Sequence, residues 1–297
     1  MKMIQKSSYG LSFFGSNITV EPISKRVKVY QLPQELELED FMIRLERLAN
    51  ETECDKLIFY VLPDQREIMH SYHAEYEGMI QGFFNGETAY IYAIFLTSKE
   101  DRIEFSEEEN QVLDIVQQRN KTISAFVLPD GYTMRWAEKK DVFEMALLYK
   151  TVFKSYPTPM NDPEFIKEMM EDHVYFSLIE KEGSVVSACS ADILPEYQAA
   201  ELSDCATYPE HRGKQLLSYQ VFQLIPKVQQ MGINVLFSYS RAISMGMNLV
   251  NAKHGFHYGG KMIRNSNISG NFENMNIWYK ILNRSQHQGK GRIINDI

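Results

Sequence analysis

A glycine between two basic residues stands at the start of a predicted long helix, in the segment Arg212-Gly213-Lys214. A predicted strand and a turn at Pro209 come immediately before it. Backbone N–H groups at a helix start, with the helix dipole behind them, bind phosphate groups, and cationic side chains add attraction. The pattern predicts a pyrophosphate site, although a helix that merely begins with basic residues has the same sequence.

Two carboxylates, Glu201 and Asp204, lie on the strand that we predict before this turn, Ala200 to Thr207. A carboxylate beside a reacting amine can accept its proton. Because their spacing is odd, a regular strand would place the two side chains on opposite faces. We therefore expect them to share one site only if a bulge interrupts the strand. A half-exposed strand carboxylate without a catalytic role is the alternative for Glu201.

The second half of the chain alternates strand and helix patterns. An Asp162-Pro163 pair marks a helix start, with Asp as the cap and Pro in the first turn. Strands are predicted at 133–136, 174–180, 185–193, 200–207 and 233–240, with two more around Gly270-Asn271, and helices at 139–154, after Asp162, at 213–231 and before Gly255. This order predicts an α/β (α+β) fold for residues 131–283, followed by a polar tail at 284–297.

The first half, residues 1–130, contains a similar but shorter pattern after a mixed segment at 1–26. Strands are predicted at 27–31, at 56–62 and on both sides of the Asn85-Gly86 turn, with helices at 35–50, after Pro63 and after the capping-box segment Ser106-Glu107-Glu108-Glu109. Residues 54–96 and 233–282 share the order strand, helix, strand, turn, strand. This order indicates an internal repeat or a chance likeness between α/β segments.

Composition excludes several classes of function. The formal net charge is -8, and an acidic chain is a poor partner for nucleic acid because phosphate affinity comes mainly from Lys and Arg. The three cysteines form neither a disulfide framework nor a metal motif. No signal-peptide core and no apolar run of membrane-spanning length is visible. We expect a cytoplasmic protein without a metal, a membrane or a nucleic acid as partner.

The element order and the segment Pro209-Glu210-His211-Arg212-Gly213 resemble the GNAT family of N-acetyltransferases. The family signature, Arg/Gln-x-x-Gly-x-Gly/Ala between the fourth strand and the third helix, falls on residues 212–217. Arg212 matches it. Gln215 and Leu217 stand at positions where the family has small residues, and their larger side chains narrow the space through which phosphate approaches the backbone. The resemblance implies a twisted mixed sheet flanked by helices and acetyl-CoA as co-substrate. Together with the repeated element order, it predicts that the smaller N-terminal domain is a GNAT-like half.

Longer segments resemble the β-lysine N6-acetyltransferases, in which a similar N-terminal domain precedes the catalytic one. These segments are Ser155 to Pro159, Ala200 to Thr207, Gly246 to Asn248 and Asn265 to Lys280. That family makes N6-acetyl-β-lysine, a compatible solute of osmoadaptation, from β-lysine supplied by a lysine 2,3-aminomutase. The resemblance implies β-lysine as the small-molecule substrate and a functional link to that aminomutase, while a homodimer stays open.

The same resemblance assigns roles to individual residues. Glu201 lies four residues before Cys205-Ala206, as the base does in the histone acetyltransferase branch, and Asp204 is the alternative base or an anchor for a substrate ammonium. Contacts to acetyl-CoA are expected from Cys205, Ala206, Thr207, Arg212, Gly213, Lys214, Gln215, Leu216, Leu217 and Asn248. Contacts to the amine are expected from Tyr156, Asn265, Asn267 and Asn276, with Arg241 or Arg264 near its carboxylate. Core packing for Tyr156 and a solvated hairpin for the asparagines are the alternatives.

One position departs from the family in a way that affects the chemistry. Many members place a Tyr four residues before the Gly that ends the fourth helix, to protonate the leaving thiolate, and Asn251 stands there in this chain. Tyr258 or water is the replacement. Acetylation of a different amine or of a protein lysine, and acyl-CoA sensing without turnover, therefore remain alternative functions.

Overall fold

The computed structural model describes residues 8–98, 106–118 and 126–282, so the predicted tail at 284–297 lies outside the described residues. The strands are β1 Tyr9–Phe13, β2 Ser16–Glu21, β3 Arg26–Tyr30, β4 Lys56–Val61, β5 Glu75–Phe84, β6 Glu87–Phe95, β7 Tyr132–Trp136, β8 Val174–Lys181, β9 Ser184–Leu194, β10 Ala199–Thr207, β11 Val235–Arg241, β12 His257–Ile268 and β13 Asn271–Ile281. The helices are α1 Leu38–Glu51, α2 Arg66–Ser71, α3 Glu107–Gln118, α4 Val142–Val152, α5 Pro163–Glu171, α6 Leu216–Gln230 and α7 Met245–Lys253.

All these strands form one mixed sheet in the order β1-β2-β3-β4-β6-β5-β12-β13-β11-β10-β9-β8-β7. We call β1–β6 the N-terminal half and β7–β13 the C-terminal half. Read outward from the β5–β12 junction, each half begins with a hairpin, continues through a parallel pair and ends in antiparallel strands. The N-terminal half therefore repeats the C-terminal order without a counterpart of β7. The α/β fold class predicted from the sequence is confirmed.

The repeat extends into details of the backbone. A short 3-10 turn at Pro22–Ser24 joins β2 to β3, and the same turn at Pro195–Tyr197 joins β9 to β10. Each turn ends in a residue with left-handed φ, 50° at Lys25 and 48° at Gln198. The likeness detected between 54–96 and 233–282 thus continues upstream. The segment that we expected to be mixed, residues 1–26, contains β1 and β2, because β2 alternates buried and half-buried residues as a strand does.

The two halves join where β5 crosses β12 at a single pair, Gly78 and Gly260. A Cβ on Gly260 would lie 2.2 Å from the Glu77 carbonyl oxygen, and one on Gly78 would lie 2.5 Å from that of Gly259. Both residues have positive φ, +144° and +150°. Glycine is required here because the two backbones approach too closely for any side chain.

Beyond this junction the halves pack against each other through an aromatic-rich core. Its members are Ile58, Tyr60, Ile80, Phe83, Phe84, Ala89, Ile91, Tyr197, Ala199, Val235, Phe237, Met262, Ile277 and Tyr279. The hydroxyl groups of Tyr60 and Tyr239, which occupy equivalent positions in the two halves, lie 2.5 Å apart. Tyr30 stacks on Tyr197 with ring centroids 5.6 Å apart. This packing brings β3 of one half opposite β10 of the other.

Local signals in the sequence placed several helix ends correctly. The Asp162 side chain accepts a hydrogen bond from the Glu164 N–H, and Ser106 Oγ accepts one from the Glu109 N–H, as expected of caps. Helix α3 lies before the boundary that we predicted at 130/131, yet its Val112 and Val116 pack in the core of the C-terminal half. The predicted helix at 213–231 begins only at Leu216, for the reason given below.

Candidate active site

A slot opens where two parallel strands separate. Strands β10 and β11 pair only over residues 199–201 and 235–237, although both continue for several residues beyond. Backbone groups of β10 past Glu201 that face β11 therefore have no strand partner. A cavity of about 1090 Å³ occupies the slot and extends between the two halves of the molecule.

An irregularity in β10 brings both predicted carboxylates to this cavity. The pairing of β10 with β9 shifts between Ser203 and Ala206, and Asp204 adopts a positive φ of 48°. This is the bulge that the odd spacing requires, because the extra residue turns Asp204 toward the face that carries Glu201. Both side chains line the cavity.

Glu201 faces a second carboxylate that sequence reasoning missed. Asp192 on β9 is its direct cross-strand neighbour, and both line the cavity. Burial, together with the neighbouring carboxylates, raises the pKa of each group to about 7. No hydrogen-bond donor engages the Glu201 carboxylate within the part of the chain that the structure describes. At neutral pH such a group exchanges protons readily, as a general base must. A lone acid inside the apolar predicted strand 185–193 was the signal that could have revealed Asp192.

The raised pKa of Asp192 has a consequence for stability. The folded protein favours the protonated form of Asp192. The contribution of this residue to the free energy of unfolding is therefore fully present below the ordinary Asp pKa of 3.8 and is lost as the pH rises through about 7. We expect Asp192→Asn to raise the free energy of unfolding by about 1–3 kcal/mol more at about pH 8.5 than at about pH 5. Urea unfolding at both pH values measures this difference. Asp64→Asn, at an exposed position, is the control, and an equal effect of Asp192→Asn at both pH values would contradict the expectation.

Asp204 is held more firmly than Glu201. Ser190 Oγ donates to its Oδ2 at 2.7 Å and Tyr156 Oη donates to its Oδ1 at 3.1 Å, while Tyr149 Oη donates to its backbone oxygen. Burial raises the pKa of Asp204, and the two hydroxyl donors oppose that shift. Tyr156 lines the cavity and also packs against the hydrophobic core, so it has both of the environments that we considered for it.

The N-terminal half supplies the opposite wall of the cavity, with Glu21, Arg26 and Lys28. Arg26 Nε bonds Glu21, and Lys28 Nζ lies 2.8 Å from the same carboxylate. Burial alone would raise the pKa of Glu21, but the two cations outweigh it and hold that pKa at about 2. Sequence reasoning assigned these residues no role, although the alternation of Arg26, Lys28 and Tyr30 along a predicted strand was visible.

The helix start is a loop built on left-handed backbone. Gly213 has a φ of 76° and Gln215 a φ of 60°, so α6 begins only at Leu216. The N–H groups of its first turn have no acceptor within the helix. Of the residues predicted to contact phosphate, Arg212, Gly213, Gln215, Leu216 and Leu217 line the cavity, and Lys214 does not.

The two basic side chains of this loop donate hydrogen bonds to nearby backbone carbonyls. Arg212 Nε donates to the Thr207 carbonyl at 3.1 Å, and Lys214 Nζ donates to the Glu210 carbonyl at 2.6 Å. The side chains of Arg212, Lys214 and Gln215 are exposed. At the strand end, Cys205 and Thr207 line the cavity, whereas Ala206 is buried against α4.

Several predicted contacts lie outside the cavity lining. Asn248 is fully buried, and its Oδ1 accepts from Asn276 Nδ2 at 3.0 Å and from Trp278 Nε1 at 2.8 Å. These bonds tie α7 to β13. Asn276 Nδ2 thus has a structural partner, whereas its buried Oδ1 has none among the described residues.

The two asparagines of β12 differ. Asn267 Nδ2 donates to the Ile23 carbonyl at 3.3 Å, which joins β12 to the N-terminal half. The backbone carbonyl of Asn265 accepts from Arg26 Nη1 at 2.5 Å, whereas its buried side-chain amide has no hydrogen-bond partner among the described residues. Arg264 pairs with Asp55 at 2.7 Å and lies outside the cavity. Arg241 does line it, but forms a bidentate pair with Glu273.

The positions considered for protonating a leaving thiolate are equally constrained. Asn251 is fully buried and its Nδ2 donates to Ser240 Oγ at 2.7 Å. Tyr258 packs edge-on to Trp278, and it does not line the cavity. Tyr30 and Tyr239 do line the cavity. Burial raises the pKa of both phenols, so that both stay protonated at neutral pH, as a proton donor to the thiolate must be.

The described residues form neither a metal-binding cluster nor a membrane-spanning helix. No group of three or more His, Cys, Asp or Glu side chains in 8–98, 106–118 and 126–282 is arranged to hold a metal ion. Within the same ranges, no helix combines the length and the apolar character that crossing a bilayer requires.

Comparison with known proteins identifies the family. Residues 139–247 match the family model for the acetyltransferase (GNAT) family. The N-acetyltransferase YodP of Bacillus subtilis is 33% identical over 234 residues, which cover 79% of this chain and 85% of the relative. β-Lysine N6-acetyltransferases are 27% identical over 90% of this chain and 96% of the relative in Methanococcus maripaludis, and 29% identical over 80% and 95% in Methanosarcina mazei. The resemblance stated from the sequence is confirmed.

Proposed function

The chain belongs to the GNAT family of N-acetyltransferases, and on that premise we propose that it transfers the acetyl group of acetyl-CoA to the terminal amine of β-lysine, with Glu201 as the base. One observation carries the assignment of the base. Glu201 is a carboxylate without a hydrogen-bond partner among the described residues, with a pKa of about 7, at the point where β10 and β11 separate.

The slot suits the elongated arm of the cofactor. Unpaired backbone groups on the β11-facing edge of β10 can bond the amides of pantetheine as an added strand would. The pyrophosphate would lie at the start of α6, where free N–H groups and the dipole favour negative charge. Arg212, Gly213 and Gln215 line that end of the cavity, and Cys205 and Thr207 line the strand end. Lys214, Ala206 and Asn248 do not line the cavity, and we propose that they stabilise the surrounding backbone rather than contact the cofactor.

The chemistry requires a proton acceptor beside the thioester. A lysine-type amine has a pKa of about 10.4 and is mostly protonated at neutral pH. Glu201 would take one proton from the ammonium, and the freed nitrogen would attack the thioester carbon. The N–C bond forms, the C–S bond breaks, and the thiolate of CoA leaves. The thiolate takes up the second proton that the nitrogen loses as the amide forms, and Glu201 releases the first proton to solvent. Backbone N–H groups of β10 past Glu201, which do not pair with β11, would stabilise the intermediate oxyanion.

The substrate proposal rests on two supports. Two relatives that align along most of the chain are named β-lysine N6-acetyltransferases. The cavity also holds both signs of charge: Asp192, Glu201 and Asp204 on one wall and Arg26 with Lys28 on the other. An amino acid with a second amine carries both signs as well, whereas a polyamine carries only positive charge.

A panel of amines tests the proposal. We expect kcat/KM to be highest for β-lysine, with some activity on α-lysine, because moving one amine by one carbon leaves most contacts available. Ornithine, spermidine and a lysine peptide should be poorer substrates. If spermidine or the peptide exceeds β-lysine about tenfold or more, the substrate proposal fails while the transferase assignment stands. Acetyl-CoA binding without turnover of any amine would favour the sensor alternative.

A further inference from the structure

The N-terminal half of the molecule does more than cover the sheet, because it places charged side chains in the cavity. Strand β3 directs Arg26, Lys28 and Tyr30, which alternate along the chain, to the face that lines the cavity. Cations in a largely buried strand are costly unless they are paired or bind a ligand. Arg26 and Lys28 share a single carboxylate, Glu21, so this pairing neutralises only one of the two charges. The acetyl-transfer chemistry of the C-terminal half does not explain the other charge.

The internal repeat gives Lys28 a special position. In the N-terminal half Lys28 pairs across the strands with Thr19 and Ile58, and in the C-terminal half Glu201 pairs with Asp192 and Phe237. Counted from the matching Pro22 and Pro195 turns, Lys28 and Glu201 are equivalent residues. One half therefore carries a carboxylate, and the other a cation, at the same place in the fold.

Direct contacts between the halves hold these two walls in position. Asn17 Nδ2, on β2, donates to the Glu196 carboxylate at 2.8 Å, and the hydroxyl groups of Tyr60 and Tyr239 lie 2.5 Å apart. Arg26 Nη1 also bonds Ser266 Oγ on β12 at 3.1 Å. These bonds hold the cationic wall against the C-terminal half, on the cavity that Glu201 also lines, as a preorganised binding site requires.

The cationic wall also has unused binding capacity. Arg26 and Lys28 share one carboxylate, Glu21, so the cluster retains one net positive charge. The Arg26 guanidinium is occupied by Glu21, by the Asn265 carbonyl and by Ser266. The Lys28 ammonium has three protons, of which Glu21 accepts one. Lys28 can therefore donate to a ligand while Arg26 keeps Glu21 in place.

From these observations we propose that Lys28, positioned by Arg26 and Glu21, binds the carboxylate of the amine substrate, with Asp192 facing the substrate ammonium nearest to that carboxylate. This inference rests on the proposed acetyl transfer and names the substrate class as an amino acid with a second, distal amine. The N-terminal half is then the part of the molecule that selects the substrate. Asp192 on β9 would then contact the ammonium nearest to the substrate carboxylate, and the adjacent Glu201 on β10 would contact the distal amine that is acetylated.

A competing explanation is that Lys28 acts only on Glu201. The positive charge of Lys28 lowers the pKa of the Glu201 carboxyl, against the effect of burial, and its removal would change acetylation of every amine. A carboxylate contact, in contrast, affects only substrates that carry a carboxylate. Comparison of two substrates with the same distal amine separates the two roles.

The test is Lys28→Met assayed on lysine and on 1,5-diaminopentane, which is lysine without its carboxylate. We expect the preference for lysine over the diamine, as a ratio of kcat/KM, to fall about 10- to 100-fold, because a buried charge loses its partner. Most of the change should be in KM for lysine. Lys28→Arg, which keeps the charge, should restore most of the preference. β-Lysine and its methyl ester form a second pair with the same expectation.

Two controls make the outcome decisive. Lys140→Met removes an exposed lysine paired with Glu138, and should leave the ratio unchanged. Calorimetric affinity of Lys28→Met for acetyl-CoA, equal to that of the unmodified protein, shows that the fold is retained. Equal losses on lysine and on the diamine would overturn the assignment of Lys28 to the carboxylate. Failure of the unmodified protein to acetylate any amine would instead refute the proposed function.

Discussion

Glu201→Gln is expected to lower kcat about 10²- to 10⁴-fold at neutral pH, with little change in the affinity for acetyl-CoA. The amide keeps the size of the side chain but cannot accept the proton of the ammonium. Because burial and nearby carboxylates raise the pKa of Glu201 to about 7, kcat of the unmodified enzyme should rise with pH through about 7 as the base deprotonates. Steady-state kinetics from about pH 5.5 to 10 measure both the loss and the profile.

In the variant, the rise near pH 7 should disappear and the loss should shrink at high pH, where the amine deprotonates without help. Since Asp192 titrates in the same range, the midpoint of the rise belongs to the pair of carboxyl groups, whereas the rise itself requires Glu201 as the proton acceptor. Asp204→Asn is the matched variant, because Asp204 is the alternative base and is already held by two hydroxyl groups. A profile that flattens in Asp204→Asn but not in Glu201→Gln would transfer the role to Asp204.

Gly260→Ala is expected to lower the free energy of unfolding by about 3–5 kcal/mol, a large part of the stability of an ordinary protein. Two effects combine. A φ of +144° is strained for alanine by about 1–3 kcal/mol, and the added Cβ would lie 2.2 Å from the Glu77 carbonyl oxygen, so that the backbones must separate. Denaturant unfolding of both proteins gives the difference.

Gly86→Ala provides a matched comparison. Gly86 also has a positive φ, +108°, but an added Cβ there has no atom within 4 Å, so that only the backbone strain remains. We expect Gly260→Ala to lose more stability than Gly86→Ala, and to lose acetyl-transfer activity as well, because the cavity has walls from both halves. Equal destabilisation by the two substitutions would show that the close crossing of β5 and β12 contributes little.

Much of the local structure followed from the sequence because its causes are local. The Asp162 cap, the hairpin at Asn85-Gly86 and the strand–turn–helix around Pro209 each depend on residues within a few positions of one another. Hydrophobic periodicity placed most of the strands for the same reason. Even here the start of α6 was predicted three residues early, since no pattern indicated the left-handed backbone at Gln215.

By itself, the sequence determined the family, the β10 strand with Glu201 and Asp204, and the glycine-containing start of α6. Only the tertiary structure decided which side chains share the cavity. The β10 bulge moved Asp204 beside Glu201, cross-strand register added Asp192, and the packing of one half on the other added Arg26 and Lys28. Asn267 on β12 and Asn276 on β13 went instead to structural bonds. The packing that adds Arg26 and Lys28 joins residues more than a hundred positions apart, so no local pattern can specify it. The register of β9 and β10 is set by the burial of one whole sheet face, which the two strands by themselves do not specify.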